Sequence, residues 1–198
     1  MPGPHYAISE SLIVCAALWS LIKLGRQGLW LAALGSAIFG AAAAIGVYRF
    51  AANEIDALAA FHKDFSQTGG AVAMALISAQ LLLNARAVSR SAAMRRVIFA
   101  AIFLTGGAAA MVPASTTPLF LAWLVGAILT TLFLGKQTAG RRMMAGAITS
   151  IFLINLLLIR QSPLLPPSVS WHLFHILVAV WLLAMLPVFT QFENERNL

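Results

Sequence analysis

Two histidines stand one helical turn apart near the start of the last apolar segment. His172 and His175 lie in "SVSWHLFHILVAVW", residues 168–181, beside Trp171. Residues three apart project about 60° apart on a helix, so both imidazoles can bind one metal ion, although zinc needs at least a third protein ligand. Alternatively, His172 and Trp171 anchor the segment among the lipid head groups, with His175 about 4.5 Å deeper by helical rise.

A second polar group lies between the second and third apolar segments. His62 and Asp64 stand in "FHKDF", and Glu54 and Asp56 precede them. The apolar residues of this stretch favour a short interfacial helix with a solvated face. The functional alternative is that His62 is the third metal ligand and that Asp64 is a catalytic carboxylate or orients a ligating histidine.

Glu10 and Arg49 belong to consecutive antiparallel segments, which places them at similar depth. Ionisable groups near the hydrocarbon are costly and usually paired, so the pattern favours an ion pair between the two residues. The functional alternative is that Glu10 is a general base or a carboxylate beside a metal, and that Arg49 binds an anionic head group.

The composition predicts the setting of these residues. Of the 198 residues, 61% are hydrophobic and 10% are charged, whereas about a quarter of the residues of soluble proteins are charged. Several runs reach the roughly 20 apolar residues that cross a bilayer. We therefore predict an all-α membrane protein, a single domain over residues 1–198 formed by a bundle of seven transmembrane helices. The predicted spans are 7–23, 29–51, 67–85, 95–113, 117–135, 142–160 and 169–190.

Small residues four apart predict close helix packing, which lets helix backbones approach within a membrane. Ser36 and Gly40 have this spacing in the second span, as do Ala42 and Gly46. Contact within one bundle is the favoured interpretation, and a dimer contact is the alternative.

The single cysteine, Cys15, excludes a disulfide within the chain. The first ten residues lack a basic region, so we expect the first span to be retained and not cleaved as a signal peptide.

The basic residues predict the orientation. One set of loops and the C-terminal tail hold 10 of the 13: Lys23, Arg26, Arg86, Arg90, Arg95, Arg96, Lys136, Arg141, Arg142 and Arg196. An excess of Lys and Arg marks the cytoplasmic side, so the N-terminus is predicted outside and the C-terminus in the cytoplasm, in a bacterial inner (plasma) membrane. The net charge of +7 is thereby explained without a nucleic-acid partner. All four histidines and four of the six acidic residues fall on or near the predicted outer face.

Other features exclude some functions. No span carries a central Asp, Glu or Lys, which disfavours an ion-coupled transporter and a retinal protein. No P-loop, GxSxG or HExxH motif occurs.

The stretches "ISESLIVCAALWSLIKL" and "WHLFHILVAVW", with the seven predicted spans, resemble the CREST superfamily of membrane hydrolases, which includes alkaline ceramidases and adiponectin-receptor-like proteins. In that family, zinc is held by a histidine late in span 2 and an HxxxH pair in span 7, assisted by a Ser and an Asp. Here the last span has HxxH, and Tyr48 and Arg49 stand where the span 2 histidine would be. The resemblance implies zinc at His172, His175 and His62, catalysis by Glu10 and Asp64, and substrate binding by Tyr48 and Arg49.

Three functions follow as hypotheses. The first is a metal-dependent hydrolase of a lipid amide or ester at the outer membrane face, in which zinc activates water. The second is a non-enzymatic scaffold, accessory subunit or sensor, whose partners would be another membrane protein or a second copy of the chain. The third is a transporter of a small molecule or lipid.

The orientation is testable with two fusions at the C-terminus. A reporter that is active only in the cytoplasm should be active when fused after Leu198, and alkaline phosphatase at the same position should be inactive. The reverse result would contradict the predicted topology.

Overall fold

The computed structural model describes residues 3–85, 91–134 and 137–196. In those ranges the chain is all-helical, and seven helices are long and apolar enough to cross a membrane, as predicted. The predicted basic loop residues Arg86, Arg90 and Lys136 lie outside the described residues. The helices are α1 Tyr6–Arg26, α2 Trp30–Ala51, α3 Ala59–Asn84, α4 Ala92–Met111, α5 Thr116–Leu129 with a π-helical continuation Thr130–Leu134, α6 Ala139–Ile154 with a π-helical continuation Asn155–Arg160, and α7 Pro167–Arg196.

Short connections make consecutive helices antiparallel. Gly28, between α1 and α2, has a φ of 73°, a left-handed conformation that glycine adopts without steric cost. Ser91 begins α4, where its hydroxyl accepts a hydrogen bond from the backbone N–H of Met94. Pro113 starts a short 3₁₀ turn before α5. α1, α3, α5 and α7 therefore begin at the same end of the bundle, which is called the N-terminal face below.

The core lies around α3, which packs against α2, α4, α5 and α7. α4 is peripheral, and its buried residues within the described chain are Ile98, Thr105 and Ala109. The large apolar side chains that point outward, such as Phe103 and Leu104 of α4, suit contact with lipid.

The small residues of α2 pack against α1, which confirms contact within one bundle for two of the predicted positions. A Cβ atom added at Gly40 would lie 2.8 Å from the Ala17 Cβ. A Cβ atom added at Gly46 would lie 2.6 Å from Glu10 Oε1. Since Cβ atoms do not approach other atoms so closely, only glycine permits this spacing.

Two local features differ from the sequence-based prediction. α3 begins at Ala59 and not near residue 67, because no proline or glycine interrupts residues 59–68. His62 and Asp64 therefore lie in the first two turns of α3. The π-helical end of α6 was not predicted; there the buried Asn155 Nδ2 donates a hydrogen bond to the Phe174 carbonyl of α7 at 2.8 Å.

Candidate functional site

Polar side chains from five helices converge at the N-terminal face. Glu10 lies in the second turn of α1, Arg49 in the last turn of α2, His62 in the first turn of α3, Arg160 at the end of α6 and His175 in the third turn of α7. Because α2 and α6 end where the other three helices begin, positions distant in sequence reach the same depth. All five residues line one cavity of about 480 Å³.

Glu10 and His175 form a buried ion pair between α1 and α7. Glu10 Oε1 lies 3.3 Å from His175 Nε2, and both side chains are almost fully buried. The contact is within ion-pair range, but Oε1 makes no well-aligned hydrogen bond in the described chain. Glu10 therefore keeps the capacity to accept a hydrogen bond from a ligand.

The protonation of this pair follows from the other nitrogen of His175. Nδ1 lies 2.7 Å from the Trp171 carbonyl oxygen, which can only accept, so Nδ1 carries a hydrogen. In a neutral imidazole, Nε2 would then carry no hydrogen, and its lone pair would face a carboxylate oxygen. The contact is favourable when one further proton lies on Nε2 or on Oε1.

The ion pair expected between Glu10 and Arg49 is not formed, which corrects that prediction. Arg49 Nε instead donates a hydrogen bond to the Ile55 carbonyl at 2.7 Å, and its Nη1 lies 3.4 Å from His62 Nδ1. The turn between α2 and α3 supplies the carbonyl, so the guanidinium stays at the end of α2. There it lies beside His62, and both residues line the cavity.

His172 and His175 do not face the same site. His172 Nδ1 lies 3.0 Å from the Ser9 hydroxyl, and its ring packs against Tyr6 and His5 of the N-terminal region. The 60° between the two positions is enough for His175 to face the cavity and for His172 to face α1. Only His175 of the two lines the cavity.

Two further predicted residues lie apart from the cavity. Tyr48 is 61% exposed, and Asp64 is exposed on α3. Neither belongs to the cavity wall. Their predicted roles in substrate binding and catalysis stay predictions.

The cavity is polar at its mouth and apolar in its depth. Lys63, Ser66, Gln67 and Thr117 join the charged residues near the N-terminal face. The inner wall is apolar, formed by Ile13, Phe39, Phe120, Phe152, Phe174 and Val178. Phe39 lies ten residues before Arg49, which corresponds to a depth of about 15 Å by helical rise. That distance is about half of the ~30 Å hydrocarbon thickness.

The arrangement does not fit the predicted zinc site. Within the described ranges, no group of three or more histidine, cysteine or carboxylate side chains is arranged to hold a metal ion. His172 faces Ser9, and the Arg49 guanidinium, a cation, lies beside His62 Nδ1. His175 has Nδ1 bonded to a carbonyl, as in many ligating histidines, but its Nε2 faces Glu10 Oε1 at 3.3 Å. Zinc binding stays a prediction.

Sequence reasoning missed Arg160 and Lys63 as site residues. The Arg160 guanidinium lies over the rings of Trp171, at 5.1 Å, and Phe174, at 5.6 Å. A signal was available, because Arg49, Lys63 and Arg160 are the basic residues that fall on the predicted outer side, against the usual excess of cations on the inner side.

No family model, curated protein or solved structure matches the chain. The resemblance to the CREST superfamily therefore depends on the two sequence stretches and the number of spans. The function has to be argued from the geometry of the cavity.

The Gly46–Glu10 contact generates a prediction about the pair. Gly46→Ala should destabilise the protein by about 1–3 kcal/mol, because the new methyl group displaces the Glu10 carboxylate or separates α1 from α2. In a Glu10→Ala background the same substitution should cost much less, since the three atoms nearest to the added methyl group all belong to Glu10. Thermal unfolding of the four proteins in detergent measures both effects.

Gly107→Ala is the matched control, because a Cβ atom at Gly107 meets nothing within 4 Å. It should leave the unfolding temperature nearly unchanged. An equal penalty for Gly46→Ala with and without the Glu10 side chain would contradict the packing of Glu10 on Gly46.

Proposed function

We propose that this chain is an integral membrane protein that binds an amphipathic, lipid-like molecule in the cavity at its N-terminal face. The observation that carries the proposal is the division of the cavity into a charged mouth and a phenylalanine-lined interior. An amphiphile has the same division, with a polar head group and an apolar chain. The position of the mouth at a helix end matches the depth of lipid head groups.

Size supports the same function. The cavity volume of about 480 Å³ lies within the ~300–1,000 Å³ typical of small-molecule sites. The interior reaches about 15 Å into the bundle, so a chain inserted there stays at the depth of one bilayer leaflet. The head group of such a ligand would then lie at the interface.

A photoactivatable, single-chain lipid analogue with a neutral head group tests this proposal. With the protein in phosphatidylcholine nanodiscs, ultraviolet light should attach the probe to residues of the inner wall, and mass spectrometry should locate the label on peptides that contain Phe120, Phe152 or Val178. An excess of the unlabelled lipid should abolish this labelling.

Gly70→Leu should block the site. Gly70 lines the cavity, and a Cβ atom there would be 3.9 Å from the nearest Phe120 atom, so a leucine side chain can enter the cavity without a backbone clash. Gly107→Leu, on the open surface of α4, is the matched control. The proposal is wrong if the probe labels the inner wall of Gly70→Leu as strongly as it labels the inner wall of Gly107→Leu and of the unmodified protein.

Hydrolysis of a bound lipid ester or amide is a second candidate function, favoured by the Glu10–His175 pair on the cavity wall. A carboxylate–imidazole pair can accept a proton from water as the water oxygen bonds to the carbonyl carbon. The same proton then goes to the leaving oxygen or nitrogen as its bond to that carbon breaks. This function follows the expectation drawn from the CREST resemblance.

A fluorogenic lipid ester and its amide analogue test the second candidate. Purified protein should release the fluorophore, and Glu10→Gln and His175→Gln should each slow the release by about 10²-fold or more. Lys23→Gln, near the opposite end of α1, should not. Lipid binding without hydrolysis would leave the binding proposal intact and remove the enzymatic one.

A further inference from the structure

The charge of the cavity mouth identifies the chemistry of the head group. Arg49, Lys63 and Arg160 come from α2, α3 and α6, and each lines the cavity. They are also the basic residues that the sequence places on the side poor in cations. Three helices thus each bring a positive charge to one small volume, where the charges repel one another in the absence of an anion.

None of these cations has a carboxylate partner within 4 Å in the part of the chain that the structure describes. Arg49 uses Nε for the Ile55 carbonyl and directs Nη1 to His62, and its other N–H groups remain free to donate. Arg160 contacts the faces of Trp171 and Phe174, which fix the plane of its guanidinium and leave the edge for a ligand.

The carboxylates near the mouth do not neutralise this charge. Glu10 is the acidic residue among those that line the cavity in the described ranges, and its carboxylate lies 3.3 Å from His175 Nε2. Glu54, Asp56 and Asp64 are exposed to the surroundings and stand outside the cavity wall. The mouth therefore has an excess of positive charge.

We infer that the head group bound at the cavity mouth is an anion, a phosphate or a carboxylate, held by Arg49, Lys63 and Arg160. Guanidinium groups bind both anions through paired N–H donors. The inference rests on the proposed function, because it assumes that an amphiphile occupies the cavity. It adds the class of ligand: an acidic lipid with its chain along the phenylalanine wall.

Competition between ligands that share one chain tests this inference. In the experiment, four twelve-carbon amphiphiles compete with the neutral photoprobe in nanodiscs. They are dodecyl phosphate, laurate, dodecylphosphocholine and dodecyltrimethylammonium. The two anions should compete at least about tenfold more tightly than the other two, a difference of ~1.4 kcal/mol. The comparison of competition by dodecyl phosphate with competition by laurate distinguishes a lipid phosphate from a fatty acid. Inorganic phosphate, which has no chain, should compete poorly.

Three variants locate the effect. Arg160→Gln and Lys63→Gln change exposed side chains and are therefore expected to fold. In each variant, competition by the two anions should weaken by about tenfold or more relative to competition by dodecylphosphocholine in the same variant. Lys23→Gln, whose ammonium lies over Trp19 away from the cavity, is the matched control for loss of one positive charge, and it should leave the preference for anions unchanged.

The outcomes separate the two proposals. Equal competition by all four amphiphiles, or an anion preference that survives both Arg160→Gln and Lys63→Gln, would overturn the anionic head group and leave amphiphile binding intact. Competition by inorganic phosphate as strong as by dodecyl phosphate would overturn the amphiphile part and indicate a site for a free anion. Failure of the neutral probe to label the inner wall would remove the proposed function itself.

Discussion

The contact between Glu10 and His175 is the interaction on which the arrangement of this bundle depends. It joins the first helix to the last, and it buries two ionisable groups where the surrounding medium is poor in water. An unpaired charge there would be costly, and the contact gives each residue a partner. In this arrangement His175 lines the cavity and His172 lies against Ser9.

The cavity lies where the first and last helices meet. Gly46 allows α2 to approach the Glu10 carboxylate, and the turn after α2 holds Arg49 at the mouth. The π-helical end of α6 is anchored to α7 through Asn155, beside the point where Arg160 packs on Trp171 and Phe174. Insertion of a π turn shifts the residues that follow it around the helix axis, and such turns are frequent at functional sites. Charged and aromatic groups from five helices therefore meet at one depth, with an apolar space below them.

Much of the fold could be predicted from the sequence, because spans of about 20 apolar residues bounded by short polar loops leave few alternatives. The gathering of polar residues at one end could also be predicted, since antiparallel helices alternate in direction. The direction in which individual side chains face could not be predicted. The spacing of His172 and His175 allows a shared ligand as well as two separate contacts, and only the packing of α1 against α7 decides between them. Arg49 was expected to pair with Glu10, but a backbone carbonyl in the following turn is its partner. The sidedness of the bundle, and zinc binding, stay predictions.

The lipids that copurify with the protein test the account most directly. Native mass spectrometry of the unmodified protein and of Gly70→Leu, purified side by side from the same membranes, compares the lipids retained by an open and a filled cavity. The account predicts that the unmodified protein retains a lipid with a phosphate or carboxylate head group and that Gly70→Leu loses it. Identical lipid profiles for the two proteins, or a retained lipid with a zwitterionic or cationic head group, would contradict it.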